Sequence, residues 1–227
     1  MMWIVVGIGL LILFILVFGV FNISSGIYLK SLCRVSNCER DEIAITFDDG
    51  VDPRITPKVL NMLDNYGAKA TFFIIGEKAK TYPELVKDIA RRGHSIGNHS
   101  YYHRVTFPLQ SRDDITSEIA RCNETLAEIL GNKPILFRPP FGETNPMIAT
   151  AVKRNGLTSI GWSIRSLDTL GQPIEKVTNR VVSRISKGKV ILLHDNREKA
   201  DVLLENILQQ ITLKGLKCVT INELFKL

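Results

Sequence analysis

The chain has 227 residues, of which 45% are apolar, and this suits one domain with a full hydrophobic core and a short additional segment. The formal net charge of +6 falls entirely on the residues after Leu29, and such an excess favours anionic polymers or lipid headgroups as neighbours. Nucleic acid is not an expected partner, because the basic residues are scattered and not interleaved with aromatic side chains.

The first segment is almost unbroken Ile, Leu, Val, Phe and Gly from Trp3 to Phe21. It is long enough to cross a hydrocarbon core of about 30 Å as a helix. We predict a transmembrane anchor over residues 1–29. A cleaved signal peptide is the alternative, but it requires a basic residue before the apolar run. Lys30 and Arg34 follow the segment, and the positive-inside rule on its own places them in the cytoplasm.

Residues 30–40 are predicted to form a short linker, and residues 41–227 one α/β domain. In the linker, Cys33 and Cys38 flank a short loop, so a local disulfide could join them in an oxidising compartment. The other two cysteines lie in a predicted helix and a predicted strand, where a buried free thiol is the default.

Within the domain, apolar strand-like runs alternate with segments of helical period. The predicted strands are Ile43 to Phe47, Ala70 to Ile75, Ser95 to Asn98, Ile135 to Arg138, Thr158 to Trp162, Lys189 to Leu193 and Leu216 to Thr220. The predicted helices are Thr56 to Tyr66, Pro83 to Arg92, Arg112 to Leu130, Pro146 to Asn155, Pro173 to Ile185 and Ala200 to Leu213. This alternation predicts a parallel sheet whose strand ends bring polar residues together.

Two adjacent carboxylates, Asp48 and Asp49, follow the first predicted strand. Like charges side by side cost energy unless a cation or a proton offsets them, so the pair predicts a metal. His99 and His103 follow the third strand and stand four residues apart, which allows both imidazoles to face one side. One acid with both histidines makes a ligand set for zinc or a similar divalent ion, with positions left open. The other acid is then free to act as a base.

Further polar groups follow the later strands. After the fourth strand, the loop from Arg138 to Gly142 reads Arg-Pro-Pro-Phe-Gly, and its stiff backbone can hold the arginine against an acid. The fifth strand is followed by Asp168, and the sixth by His194. A neighbouring carboxylate raises the pKa of an imidazole toward the range of a general acid.

From Asp41 to its end the chain resembles the polysaccharide deacetylase family, the carbohydrate esterases with a NodB homology domain. The motifs that carry the resemblance are Thr46-Phe47-Asp48-Asp49-Gly50, His99-Ser100-x-x-His103, Arg138-Pro139-Pro140-Phe141-Gly142 and Leu192-Leu193-His194-Asp195. The resemblance implies a distorted (β/α)7 barrel and metal-dependent removal of the N-acetyl group from N-acetylglucosamine units, with release of acetate. Peptidoglycan, a chitin-like oligomer or another envelope polysaccharide is the expected substrate.

Carried over to this chain, the resemblance implies that Asp48 is the catalytic base and that Arg138 orients it and balances its charge. Asp49, His99 and His103 are then the ligands of a divalent metal. Zinc is the expected ion, with cobalt or nickel as substitutes.

The resemblance also assigns the remaining site residues. The backbone N–H of Phe141 joins the metal in an oxyanion hole, and Pro139 belongs to the same substrate-binding loop. His194 is the general acid, paired with Asp168. Leu193 helps to form the apolar pocket that receives the acetyl methyl group.

The chain departs from the family pattern after the fifth strand. The usual Asp-x-x-Asp-Trp is replaced by Arg165-Ser166-Leu167-Asp168-Thr169, so an arginine stands for the first acid and a threonine for the tryptophan. Loss of the tryptophan opens one wall of the groove and a cation enters it, which leaves the substrate preference open more than the chemistry. Phe141 replaces the commoner tyrosine, but the oxyanion contact is made by the backbone and is expected to survive.

Two alternatives stand beside deacetylation of an envelope glycan. One is an O-acetyl esterase or deformylase-like enzyme that acts on a lipid-linked sugar, and the other is a non-catalytic glycan-binding relative. The presence of both a base and an acid argues against the second. We expect a monomer, with the domain outside the cytoplasmic membrane in the cell envelope or periplasm, although the charge bias at Lys30 and Arg34 argues for the opposite topology.

Several further residues are expected to have structural roles only. His94 lies at the start of the third strand, away from the strand ends, and Trp162 is explained by the core. Glu118 is expected on the solvated face of its helix. Asp195 neighbours His194 on a strand and is expected to point to the opposite side.

Overall fold

The computed structural model describes residues 2–227, so residue 1 of the predicted anchor lies outside the described part. The strands are β1 Glu42–Gly50, β2 Ala70–Ile74, β3 Ser95–Asn98, β4 Leu136–Phe137, β5 Thr158–Ser159, β6 Ile164–Arg165, β7 Val190–His194 and β8 Lys217–Val219. The α-helices are α1 Met2–Phe21, α2 Thr56–Asn65, α3 Gly76–Thr81, α4 Pro83–Arg91, α5 Arg112–Leu130, α6 Pro146–Arg154, α7 Ile174–Val182, α8 Ala200–Leu213 and α9 Ile221–Phe225.

Every predicted strand and helix of the domain is present, most with ends shifted by one to three residues. α5 matches its predicted bounds because both ends carry local signals. The side chain of Ser111 accepts a hydrogen bond from the backbone N–H of Asp114, and Gly131 ends the helix in the left-handed conformation at φ 78°. The short elements α3, α9 and β6 were not predicted, since each is too short to show a period.

All strand pairs are parallel, in the order β5-β4-β3-β2-β1-β7-β6. β8 pairs with the first residues of β1, from Glu42 to Ala44, and β2 pairs with the later ones. β5 and β6 follow each other in the chain but lie at opposite ends of this order. The prediction of a distorted, incomplete α/β barrel is confirmed. The structure has eight strands within residues 2–227 rather than seven, because the predicted strand Thr158 to Trp162 ends early and β6 follows separately.

The segment predicted as a linker, residues 30–40, packs in the opening between β5 and β7. The backbone N–H of Leu32 donates to the carbonyl of Ser159 at 2.9 Å, and the carbonyl of Leu32 accepts from Gly161 at 3.0 Å. The N–H of Val35 donates to the carbonyl of Gly188 at 2.8 Å. The segment is therefore part of the barrel wall and not a free connection.

The cysteines, all within residues 2–227, are free thiols, so the local disulfide considered for Cys33 and Cys38 is not formed. The Cys33 thiol donates to the carbonyl of Ser31 at 3.5 Å, and the Cys38 thiol to the carbonyl of Arg40 at 3.3 Å. The other two lie buried as predicted, and burial raises the pKa of each thiol to about 12. Such thiols are unreactive at neutral pH.

The core has two layers because side chains alternate along each strand. On β1, Ile43, Ile45 and Phe47 pack against the helices. The intervening side chains face the barrel interior, where Ala44 packs with residues of neighbouring strands. Thr46 and Asp48 continue this inner row, so the strand delivers a carboxylate to the interior at its carboxyl end.

Helix α1 has 20 residues with a mean hydropathy of 3.2, and its length and composition would let it span a membrane. Nearly all of it is exposed, but its last turn contacts the domain. Thr144 donates from its backbone N–H to the carbonyl of Val20 at 2.9 Å and from its hydroxyl to the carbonyl of Gly19 at 2.8 Å. Tyr28 donates its hydroxyl to the carbonyl of Leu16 at 3.2 Å. The two bonds from Thr144 satisfy carbonyls of the last turn that have no partner within the helix.

Candidate active site

Asp49, His99 and His103 form a compact cluster at the carboxyl ends of β1 and β3. Their ligand atoms lie within 4.8 Å of one another. Oδ1 of Asp49 is 3.5 Å from Nε2 of His99 and 3.4 Å from Nε2 of His103. The loop that holds both imidazoles is tight, since Ser100 accepts a hydrogen bond from the backbone N–H of His103 at 3.0 Å. The structure thus brings together the three residues expected to bind a metal.

The cluster fits a divalent cation in its protonation as well as its geometry. Nδ1 of His99 lies 2.8 Å from the carbonyl oxygen of Arg138, so Nδ1 carries the proton and Nε2 keeps its lone pair. Burial lowers the pKa of His103 to about 4, and the adjacent His99 lowers it further. Burial alone would raise the pKa of Asp49, but the nearby imidazoles hold it well below its usual range. A neutral imidazole and an ionised carboxylate are the forms that bind metal.

Asp48 faces a different partner. Its Oδ1 accepts a hydrogen bond from Nη1 of Arg138 at 2.7 Å. The guanidinium is fully buried and is fixed by Thr46 at 2.7 Å and by the carbonyls of Ile160 at 3.1 Å and Gly161 at 2.9 Å. One oxygen of Asp48 is therefore held by a rigid cation, and Oδ2 remains on the side of the metal cluster.

Two adjacent strand residues normally point to opposite faces, yet Asp48 and Asp49 serve one site. The pairing of β1 with β2 is irregular between Phe47 and Gly50, and Asp49 adopts a left-handed conformation with φ 67°. This bulge turns the second carboxylate back toward the interior. Oδ2 of Asp48 is 3.8 Å from Nε2 of His99, farther than Oδ1 of Asp49.

His194, at the end of β7, is paired with Asp168 from the loop after β6. Nδ1 of His194 lies 2.8 Å from Oδ1 of Asp168, and its backbone N–H donates to Oδ2 at 2.9 Å. Ser166 donates a hydrogen bond to the same carboxylate at 2.8 Å. Burial opposes protonation of His194, but the hydrogen bond and charge of Asp168 outweigh it and raise its pKa. With Nδ1 engaged, Nε2 is the nitrogen available to a ligand.

One cavity of about 220 Å³ at the carboxyl ends of the strands is lined by Asp48, Asp49, His99, His103 and His194. Arg138 and Asp168 lie outside this lining and hold Asp48 and His194 by hydrogen bonds.

The lining of the cavity also includes Phe141, whose backbone is left-handed at φ 61° and whose ring lies 4.7 Å from that of His103. Arg165 and Thr169, the two departures from the family pattern, line the same cavity. Pro139 is buried outside this lining and accepts a hydrogen bond from the backbone N–H of Gly142 at 3.0 Å. It shapes the loop without facing the cavity.

The prediction for Leu193 is wrong, because Leu192 lines the cavity instead. Leu193 packs in the core between sheet and helices. His194 points into the cavity, so on an alternating strand the residue two positions earlier shares its face and the immediate neighbour does not. The same alternation places Asp195 on the outer side, where it is fully buried and accepts a hydrogen bond from Thr56 at 2.6 Å, as expected for a structural residue.

Trp162 was attributed to the core alone, but it lines the cavity. β5 ends at Ser159, so the tryptophan lies on a loop and not on the strand predicted for it. Its ring lies 5.7 Å from the guanidinium carbon of Arg138 and 5.7 Å from that of Arg165. The sequence pattern predicts a strand that extends to Trp162, and this longer strand assigns the tryptophan to the core and not to the cavity.

Glu118 was expected on a solvated helix face, but only 8% of it is exposed. Its carboxylate accepts the backbone N–H of Tyr102 at 3.0 Å and the side-chain amide of Gln110 at 3.3 Å. It therefore supports the loop between the two histidines. The sequence does carry a signal for the burial of Glu118, because Ile115 and Cys122 stand three residues before and four residues after it, on the same face of the helix. His94 is structural as expected: its Nδ1 accepts from the backbone of Ala70 at 3.2 Å.

The model of the polysaccharide deacetylase family matches residues 36–160, more than half of the chain. The chain belongs to this family of hydrolases, whose deacetylases depend on a metal ion.

Among its relatives is a peptidoglycan-N-acetylglucosamine deacetylase of Bacillus cereus, 36% identical over 189 residues that cover 81% of this chain and 88% of the relative. A chitooligosaccharide deacetylase of Azorhizobium caulinodans is 36% identical over 159 residues, 69% of this chain and 74% of that one. A solved peptidoglycan N-acetylglucosamine deacetylase superposes with a TM-score of 0.80 at 32% identity, covering 86% of this chain and 92% of the other.

Proposed function

We propose that this chain removes the N-acetyl group from N-acetylglucosamine units of an envelope glycan, such as peptidoglycan or a chitin-like oligomer, and releases acetate. One observation carries the proposal. A carboxylate held by a buried arginine and an imidazole held by a second carboxylate line one cavity with the cluster of Asp49, His99 and His103. Hydrolysis of an amide requires a base, an acid and stabilisation of an oxyanion, and this cavity offers groups for all three.

Asp48 is proposed as the base. Arg138 binds one of its oxygens at 2.7 Å and fixes the carboxylate, so the other oxygen can take a proton from the attacking water. A divalent ion at Asp49, His99 and His103 would polarise the acetyl carbonyl and make water a better nucleophile.

His194 is proposed as the general acid. An amide nitrogen is a very poor leaving group unless it is protonated as the bond breaks. Asp168 raises the pKa of His194, which favours the protonated imidazole that can donate a proton from Nε2 to the sugar nitrogen. The products are then acetate and a free amino sugar.

The rest of the cavity is proposed to position the acetyl group. The backbone N–H of Phe141 is the proposed donor to the oxyanion, and such a donor contributes about 3–4 kcal/mol in other enzymes. Leu192, in place of Leu193, is the proposed wall for the acetyl methyl group, because it lies on the same face of β7 as His194.

Zinc is the proposed ion, with cobalt or nickel as functional substitutes. Two imidazole nitrogens and one carboxylate oxygen are a common catalytic zinc set that leaves open positions for water and substrate. The same donors also suit other first-row divalent metals, whose affinities differ by geometry and availability.

We also propose that α1 is retained as a membrane anchor, with the domain in the cell envelope or periplasm and acting as a monomer. Thr144 is 1% exposed because the end of α1 covers it, and a cleaved signal would leave its two hydrogen bonds unmade. Membrane fractionation, protease accessibility of the domain in spheroplasts and light scattering in detergent test these points.

The decisive test of the reaction is acetate release by the full chain in detergent, stripped of metal and then restored with zinc or cobalt. N-Acetylglucosamine oligomers and peptidoglycan are compared with O-acetylated xylan and a formylated sugar. We expect metal-dependent release from the N-acetyl substrates that is lost in Asp48→Asn. Asp41→Asn, an exposed acid that precedes β1, is the matched control and should retain activity. Release from O-acetyl substrates alone would instead support an esterase, and glycan binding without release would support a binding protein.

A further inference from the structure

Two guanidinium groups on the cavity wall have no carboxylate partner in the described part of the chain. Arg165 and Arg197 both line the cavity and are exposed, and neither lies within ion-pair distance of a carboxylate among residues 2–227. Arg165 lies level with Leu192 in the pairing of β6 with β7, and Arg197 follows His194 by three residues. The two arginines therefore approach the cavity from neighbouring segments on the side of the general acid.

The other acids and bases of the cavity are engaged with one another. Asp48 is bound by Arg138 at 2.7 Å, and the carboxylate that faces His194 lies 2.8 Å from it. Asp49 lies against the two imidazoles of its cluster. The proposed reaction uses none of the charge of Arg165 or Arg197.

A neutral sugar offers no partner for these two charges. Guanidinium groups bind carboxylates and phosphates through two parallel hydrogen bonds, which are stronger than bonds between neutral groups. A single exposed arginine is ordinarily a solvated surface charge. Two of them lining the same cavity, with the Trp162 ring 5.7 Å from the guanidinium carbon of Arg165, form a surface that suits a sugar with an acidic substituent.

We propose that Arg165 and Arg197 bind a negatively charged group carried next to the acetylated sugar, so that the preferred substrate is an acidic N-acetylated amino sugar. This rests on the proposed deacetylation and refines its substrate. The anion has two sources of equivalent chemistry. It is either the carboxylate of a lactyl ether, as in muramic-acid residues of a glycan strand, or the phosphate that joins a sugar to a lipid.

Binding tests the inference without relying on turnover. The full chain in detergent, with and without zinc, is titrated with N-acetylglucosamine, N-acetylmuramic acid and N-acetylglucosamine 1-phosphate and followed by ligand-observed NMR. We expect at least one charged sugar to bind about tenfold more tightly than the neutral one, as one charge-assisted contact provides. The preference should persist without zinc, which excludes direct binding of the anion to the metal, and should weaken in high salt.

Arg165→Gln and Arg197→Gln should each remove most of this preference. Arg184→Gln is the matched control, since Arg184 is exposed, forms no ion pair among the described residues and lies away from the cavity. The acidic sugar that binds more tightly identifies the source of the anion, carboxylate or phosphate. Acetate release from glycan strands and from a lipid-diphosphate-linked sugar then tests this assignment.

Equal affinity for charged and neutral sugars, or no binding of any of the three, would overturn the inference. So would a loss of preference in Arg184→Gln equal to that in the cavity variants. A preference for the acidic sugar without acetate release from any substrate would leave the anion site standing and contradict the deacetylation instead. Acetate release from neutral oligomers that is unchanged in both arginine variants would support the deacetylation and contradict the anion site.

Discussion

The two neighbouring acids should fail in different ways when each is converted to its amide. Asp48→Asn keeps an oxygen to accept from Arg138 but removes the only carboxylate that pairs with this fully buried cation within the described residues. Breaking a buried ion pair costs about 3–5 kcal/mol, and retention of the amide oxygen places the expected loss of unfolding free energy at the lower end. Turnover should fall by about 10²–10⁴, the usual contribution of a positioned base.

Asp49→Asn should act on the metal. Its Oδ1 lies 3.5 and 3.4 Å from the two imidazole nitrogens, whereas Asp48 approaches only His99, at 3.8 Å. Loss of a group that merely orients a ligand lowers metal affinity about 10–100-fold, so loss of a ligand itself should reach at least the upper end of that range. Asp48→Asn should lower zinc affinity by a factor nearer the lower end of this range of about 10–100-fold.

Zinc affinity is measured by competition with a chromogenic chelator, acetate release at saturating zinc, and unfolding in urea without metal. Asp41→Asn serves as the control for loss of one negative charge near β1. Equal loss of zinc affinity in Asp48→Asn and Asp49→Asn would refute the division of roles. Full recovery of turnover in Asp48→Asn at high zinc would refute it as well.

Leu192→Ala should lower kcat/KM about tenfold or more, because it removes the wall for the acetyl methyl group. Leu193→Ala should instead lower the free energy of unfolding by about 2–5 kcal/mol and leave the kcat/KM of the folded enzyme near the wild-type value. Urea titration together with acetate assays distinguishes the two outcomes. Asp168→Asn removes the group that raises the pKa of His194. The general acid then loses its proton at lower pH, and the alkaline limb of the pH profile of kcat/KM should shift to lower pH; an unchanged limb would exclude His194 as that acid. Glu118→Leu should weaken zinc binding about 10–100-fold by leaving the loop N–H unpaired, and Glu118→Gln, which keeps an acceptor, should restore most of it in the chelator assay.

Much of the fold was predictable because its signals are local. Helices such as α5 carry a side-chain cap at one end and a left-handed glycine at the other, and the alternation of helix and strand implies a parallel sheet. The acids and imidazoles of the site could also be predicted, because each follows a predicted strand and parallel strands all end at the same edge of the sheet. Where a strand assignment was too long, as at Trp162, the side chain was assigned to the wrong environment.

The sequence by itself determined the order of elements, the apolar first helix and the set of chemical groups at the strand ends, because each depends on residues a few positions apart. Only the tertiary structure decided which leucine of β7 faces the cavity and how a bulge turns Asp49 toward the site of Asp48. It also decided that residues 30–40 fill the barrel wall and that Thr144 binds the end of α1. The first two features depend on how β1 and β7 are placed in the sheet, and the last two on hydrogen bonds between residues far apart in the chain. No local pattern records such contacts.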